Sequence, residues 1–127
     1  MIAIGDAIVA LFESDEGDGL RAAGIHRLYH EEVADGTAYP QVRFTIDSNS
    51  GEVSGEAEIR FECRSEAQDD GAQLSWILEA LNHLIRWADL SGGSFACSPA
   101  RIVGESTGHI EGFWMGKITA RVGFLRA

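Results

Sequence analysis

Apolar residues at the start of the chain recur with a helical period. Ile4, Ala7, Ile8, Leu11 and Phe12 fall at i, i+3, i+4, i+7 and i+8, the spacing that stacks side chains on one face of a helix. A short N-terminal helix is predicted. The period breaks over residues 13–19, an acidic stretch with two glycines, because carboxylates oppose the macrodipole at a helix C-terminus and glycine favours a loop. A further short turn is expected over 20–23, a brief strand over 25–29 and a loop over 30–38.

Alternation then replaces the helical period. Val42, Phe44 and Ile46 alternate with Gln41, Arg43 and Thr45, and Ala57, Ile59, Phe61 and Cys63 alternate with Glu56, Glu58, Arg60, Glu62 and Arg64. Each run predicts a strand with one buried and one solvated face. Residues 47–55 between them are long and polar, which predicts a flexible hairpin tip.

Ser65 followed by Gln68 fits a capping box, with Asp69 and Asp70 favourable to the helix dipole. A long helix is therefore predicted to begin near Ser65. Leu74, Ile77, Leu78, Leu81, Leu84, Ile85 and Ala88 form its apolar stripe, and the Leu-Ser-Gly-Gly run at 90–93 is expected to end it. Two strands are expected in the tail, one within 95–105 and one from about 109 to 126. In the last, Phe113 and Met115 share one parity and Ile118, Ala120, Val122 and Phe124 the other, which predicts a bulge near Gly116 and Lys117. The expected fold class is α+β. A mostly antiparallel sheet of about four to five strands packs against one long helix and a short N-terminal helix, in a single domain spanning 1–127.

Charge narrows the partners. The 127 residues hold 20 acidic and 10 basic side chains, a net charge of −10. No basic footprint exists for neutralising phosphates, which argues against tight binding to duplex nucleic acid or to an anionic membrane. No run approaches the roughly 20 apolar residues that span a bilayer. The first residues lack the basic region of a signal peptide, so the expected place of folding is the cytosol. Cys63 and Cys97 do not imply a disulfide framework and read as small hydrophobes.

Candidate chemistry is thin. His30, Glu31, Glu32 and Asp35 gather imidazole and carboxylates in one loop, but without ligand spacing such as H-E-x-x-H. Asp15, Glu16 and Asp18 lack the later bidentate Glu of a calcium loop. No C-x-x-C, G-x-S-x-G or P-loop occurs. No catalytic residue, metal ligand or cofactor is expected. Two surface patterns remain. Glu58, Arg60, Glu62 and Arg64 make an outer strand face of alternating sign, either a solvated face or a subunit contact. On the long helix, Trp76, Ala80, His83 and Trp87 make a second stripe, either covered by the N-terminal helix or itself a contact surface.

These features, in this order, resemble the tail terminator (tail-completion, minor tail) proteins of long-tailed bacteriophages and prophages. The marks are the apolar helix over 4–12, Ile-His-Arg-Leu-Tyr at 25–29, and Tyr39-Pro40 leading into Val42, Arg43 and Phe44. The polar hairpin, the strand running from Ala57 through Cys63 into Ala67-Gln68, and the closing Val-Gly-Phe-Leu at 122–125 complete the likeness. His30 departs from the pattern, in which proline often follows the tyrosine.

The resemblance implies a non-enzymatic virion protein of the tail, assembled in the bacterial host cytoplasm. It would form a homo-oligomeric ring, usually hexameric, on the tail tube, stop tube polymerisation and meet a head-side connector or neck protein. Double-stranded DNA would pass through its channel without specific binding. On this view Trp76, His83, Trp87, Glu58, Arg60, Glu62 and Arg64 are expected at the subunit interface. The hairpin residues Ser48, Asn49, Ser50, Gly51 and Glu52 are expected to contact the tube or a neighbour. The alternatives are a head-completion or neck protein of the same virion type, and a stand-alone α+β domain binding a small molecule or metal through residues 30–35.

Overall fold

The computed structural model describes residues 2–31, 38–50, 54–110 and 112–126. Helix α1 (Ile2–Glu13) forms where the apolar period predicts it, and Ile4, Ile8 and Phe12 are buried. The acidic stretch after it is not a loop. A 3-10 turn (Asp15–Gly17) leads straight into α2 (Asp18–Ala22). The cause is Arg21, whose guanidinium donates to the Phe12 carbonyl at 2.6 Å and the Ser14 carbonyl at 2.7 Å while pairing with Asp18 at 2.6 Å. One cation thus satisfies free carbonyls at the end of α1 that the neighbouring carboxylates cannot.

Strands β1 (Leu28–His30), β2 (Gln41–Ser50), β3 (Ser54–Ser65), β4 (Phe95–Cys97), β5 (Arg101–Ile110) and β6 (Phe113–Arg126) form one sheet. Its order is β1-β2-β3-β6, and both β4 and β5 pair with the far side of β6. Every pairing is antiparallel except the parallel β1–β2. The α+β architecture is the expected one, with the tail supplying three strands instead of two.

The β2–β3 ladder runs from Gln41 opposite Arg64 to Ser50 opposite Gly55. Asp47, Ser48, Asn49 and Ser50 are therefore strand residues and not a hairpin tip. Polar side chains do not prevent a ladder whose bonds are all backbone, and β6 holds β3 from its other side as far as Ser54. Gly51 and Glu52 lie outside the described residues.

No bulge interrupts β6 at Gly116–Lys117, because its register with β3 is unbroken from Ser54 opposite Leu125 to Ser65 opposite Trp114. The even-numbered residues of β6 all face the helices. Gly116 belongs to that series and breaks the apolar pattern for a packing reason: a β-carbon there would stand 2.8 Å from both terminal carbons of Leu78. The register shift lies in β5 instead, between Ile102 and Gly104. Gly116→Val is expected to cost roughly 1–3 kcal/mol of stability through overpacking, read as a lower denaturant midpoint.

Helix α3 (Ala72–Ile85) begins after the expected point. Ser65 does not cap it; it ends β3 in full burial, its hydroxyl donating to Gln73 Oε1 at 2.5 Å and accepting from the Ala67 N–H at 3.2 Å. The left-handed residues Asp70 (φ 60°) and Gly71 (φ 84°) turn the chain into the helix, and Asp69 accepts the Gln73 N–H at 2.9 Å. Nor does α3 reach the glycines at 92–93. It stops at Ile85, because Arg86 turns extended (ψ 122°) and Trp87 is left-handed (φ 63°). The Trp87 N–H then donates to the Ala100 carbonyl at 2.7 Å, and the Ala100 N–H to the Ala88 carbonyl at 2.9 Å.

Leu74, Ile77, Leu78, Leu81, Leu84 and Ile85 of α3 join α1 against Val42, Phe44, Ile59, Phe61, Cys63, Ile118 and Val122 to form the core. Both cysteines are free thiols, and burial pushes the Cys63 thiol far above its ordinary range, as suits a packing residue. All helices lie on one face of the sheet. The opposite face is open.

Candidate functional site

Helix α3 buries one stripe and displays another. Trp76 is 51% exposed, Trp87 is 66% exposed, and His83 between them is exposed as well. Of the two readings of this stripe, cover by the N-terminal helix is the one the structure overturns, because α1 spends its apolar face on the core. Only Ala80 is approached, by α2, where a β-carbon on Gly19 would lie 3.6 Å from the Ala80 methyl. Trp87 continues the stripe from beyond the helix end, on the turn pinned to Ala100. Beside it, α3 and β5 border a cleft of about 640 Å³ lined by Glu79, Asn82, His83, Arg86, Trp87 and Glu105 among others.

On the other side of the molecule, β2, β3 and β6 bring together residues far apart in the chain. Glu58, Arg60, Glu62 and Arg64 project from β3 as expected, flanked by Arg43 and Asp47 of β2 and by Lys117 and Arg121 of β6. The ions interlock. Glu62 accepts from Arg43 at 3.2 Å and from Arg64 at 2.6 Å. Arg60 pairs with Asp47 at 2.6 Å and Glu58 at 2.9 Å, and Arg121 meets Glu58 at 3.3 Å. Half of the chain's ten basic side chains but only four of its twenty acids (Asp47, Glu56, Glu58 and Glu62) lie on this face of the three strands.

Burial opposes the charge on Glu62, yet hydrogen bonds from Arg64 and Arg43 outweigh it and hold the carboxyl below the usual range. Hydrogen bonds from Arg60 and Arg121 lower Glu58 in the same way. A carboxyl depressed in the folded state binds fewer protons there than in the unfolded chain, so its stabilisation is present above the unfolded value and lost as pH falls through the folded one. The denaturant midpoint is accordingly expected to fall on acidification through and below the ordinary carboxylate range. Glu62→Gln should flatten that fall.

The remaining sequence candidates carry no site among the described residues. His30 belongs to β1, its ring stacked on Phe44 with centroids 4.7 Å apart, and Glu32 and Asp35 lie outside the described residues. Ser48, Asn49 and Ser50 are backbone-paired in β2. Among the described residues no group of three or more His, Cys, Asp or Glu is arranged to hold a metal ion. Sequence reasoning missed Arg43, Lys117 and Arg121 as members of the charged face. Their strand parity was legible, but the register that sets them beside Glu58 and Glu62 was not.

A six-stranded α+β sheet with helices on one face, an exposed aromatic stripe on those helices and an open ionic face defines the class of this domain. The same fold occurs in solved structures. A chain of the structure described as "Virion of native gene transfer agent (GTA) particle" superposes with a TM-score of 0.72 over 94% of this chain and 92% of its own, at 12% identity. A second solved chain, which carries only a sequence label, gives 0.59 over 97% and 95%, at 13% identity. The sequence matches no protein-family model and no curated protein. At these identities the likeness establishes the fold.

Proposed function

We propose that this protein is a non-enzymatic virion assembly protein that forms a hexameric ring at the head-proximal end of a phage-type tail tube. There it ends tube polymerisation and offers the joining surface to the head-side connector. The observation that carries this reading is the fold likeness, nearly end to end in both chains, to a component of a gene transfer agent virion. The resemblance of the sequence to tail terminators points the same way. The tryptophan stripe and the ionic face supply the subunit contacts, with Trp76, His83 and Trp87 on one and Glu58, Arg60, Glu62 and Arg64 on the other. They lie on opposite sides of the sheet, as a head-to-tail contact that closes into a ring requires. DNA passes the ring without being held, since a chain at −10 cannot build a strongly basic wall.

Native mass spectrometry of the purified protein at high concentration, with electron micrographs of tails, tests the reading. A ring in both supports it. A monomer in solution with no ring on tails overturns it, and recovery with capsids instead of tail tubes makes the protein a neck component.

A further inference from the structure

The open sheet face contains a hollow of about 180 Å³ bordered by Arg43, Thr45, Arg60, Lys117 and Thr119. Its volume is in the range that accepts one aromatic ring, given that a cavity of about 150 Å³ binds benzene. Its rim is cationic, and this face already stacks a guanidinium on an aromatic ring, with Arg64 5.5 Å from the centre of Phe113. On the far side of the molecule stands Trp87, 66% exposed and held by the hydrogen bond from its own N–H to Ala100. A rigidly presented indole loses little conformational entropy on docking. Acids surround it: Glu79 and Glu105 share its cleft and Asp89 follows it in the turn.

We infer that Trp87 of one copy seats in the Arg43–Arg60–Lys117 hollow of the next, the acidic surround of the indole meeting the cationic rim. This deepens the ring reading and rests on it. Indole faces attract guanidinium and ammonium groups, planar guanidinium stacks on aromatics especially well, and Trp and Arg together dominate the energetic centres of protein interfaces. Because knob and hollow lie on opposite faces of the sheet, the contact is head-to-tail, and every copy carries both halves of it.

The test uses two surface variants of the full chain, Trp87→Ala to remove the knob and Thr119→Phe to fill the hollow. Each alone is expected to weaken assembly at least about 30-fold, read by sedimentation and native mass, with the parent's melting temperature retained. Mixed in equal amounts, they should form a 1:1 heterodimer that grows no further, because each lacks a different half. Higher salt should weaken the parent assembly. Rings from either variant alone, or a mixture that stays monomeric, overturn this contact while leaving a parental ring in place. A parent that forms no ring in solution or on tails removes the ring reading and the contact with it.

Discussion

Phe61→Ala is expected to lower the stability of the folded chain by about 3–5 kcal/mol, the usual cost of truncating a buried aromatic. Phe61 lies on the central strand β3, 1% exposed, with its ring 5.7 Å from that of Phe44. It is opposite Phe44 on β2 and Ile118 on β6. A cavity at that point loses contacts with two strands at once, and strands paired on both sides cannot move in to fill it. Urea or guanidinium melts of the monomeric protein measure the loss. A cost below about 1 kcal/mol would mean that the sheet relaxes around the cavity, contrary to the close packing described above.

Trp76→Ala removes a larger aromatic and is expected to do the reverse. Trp76 is 51% exposed, and its neighbours on the stripe, His83 and Trp87, are exposed too. Truncation leaves no enclosed cavity, so the melting curve should barely shift. Under the proposed ring reading, assembly should instead weaken by about 2 kcal/mol or more, the loss typical of an interface aromatic at an energetic centre. The two variants therefore separate the roles of two aromatic clusters of similar composition, one in the melt and the other in the oligomer distribution. A Trp76→Ala protein that melts and assembles like its parent would leave the stripe without a part in the ring.

Much of this fold is legible in the chain itself, and the reason is local. Side-chain periodicity is a property of consecutive residues, so α1, β2, β3 and the buried stripe of α3 follow from the spacing of Ile4 to Phe12, Val42 to Ile46, Ala57 to Cys63 and Leu74 to Ile85. The second stripe on α3 is equally visible, because its residues recur at helical spacing apart from the Leu/Ile set. The composition also excludes a basic phosphate-binding surface without any knowledge of the fold.

Tertiary structure decided what depends on partners distant in sequence. The end of α3 is set by the backbone bond from Trp87 to Ala100, and the helical course of residues 15–22 by the reach of Arg21 to the end of α1. Ser65 has the right chemistry for a cap, but burial beside Gln73 puts its hydroxyl to another use. Gly116 suggests a bulge only until Leu78 is seen packed on its bare backbone. The charged face is likewise a product of register. Alternation assigns Glu58 and Glu62 to an outer surface, whereas only the β2–β3–β6 ladder sets Arg43 and Arg121 against them and Lys117 beside the hollow. Periodicity encodes which face a side chain takes; long-range pairing encodes which other side chains it meets there.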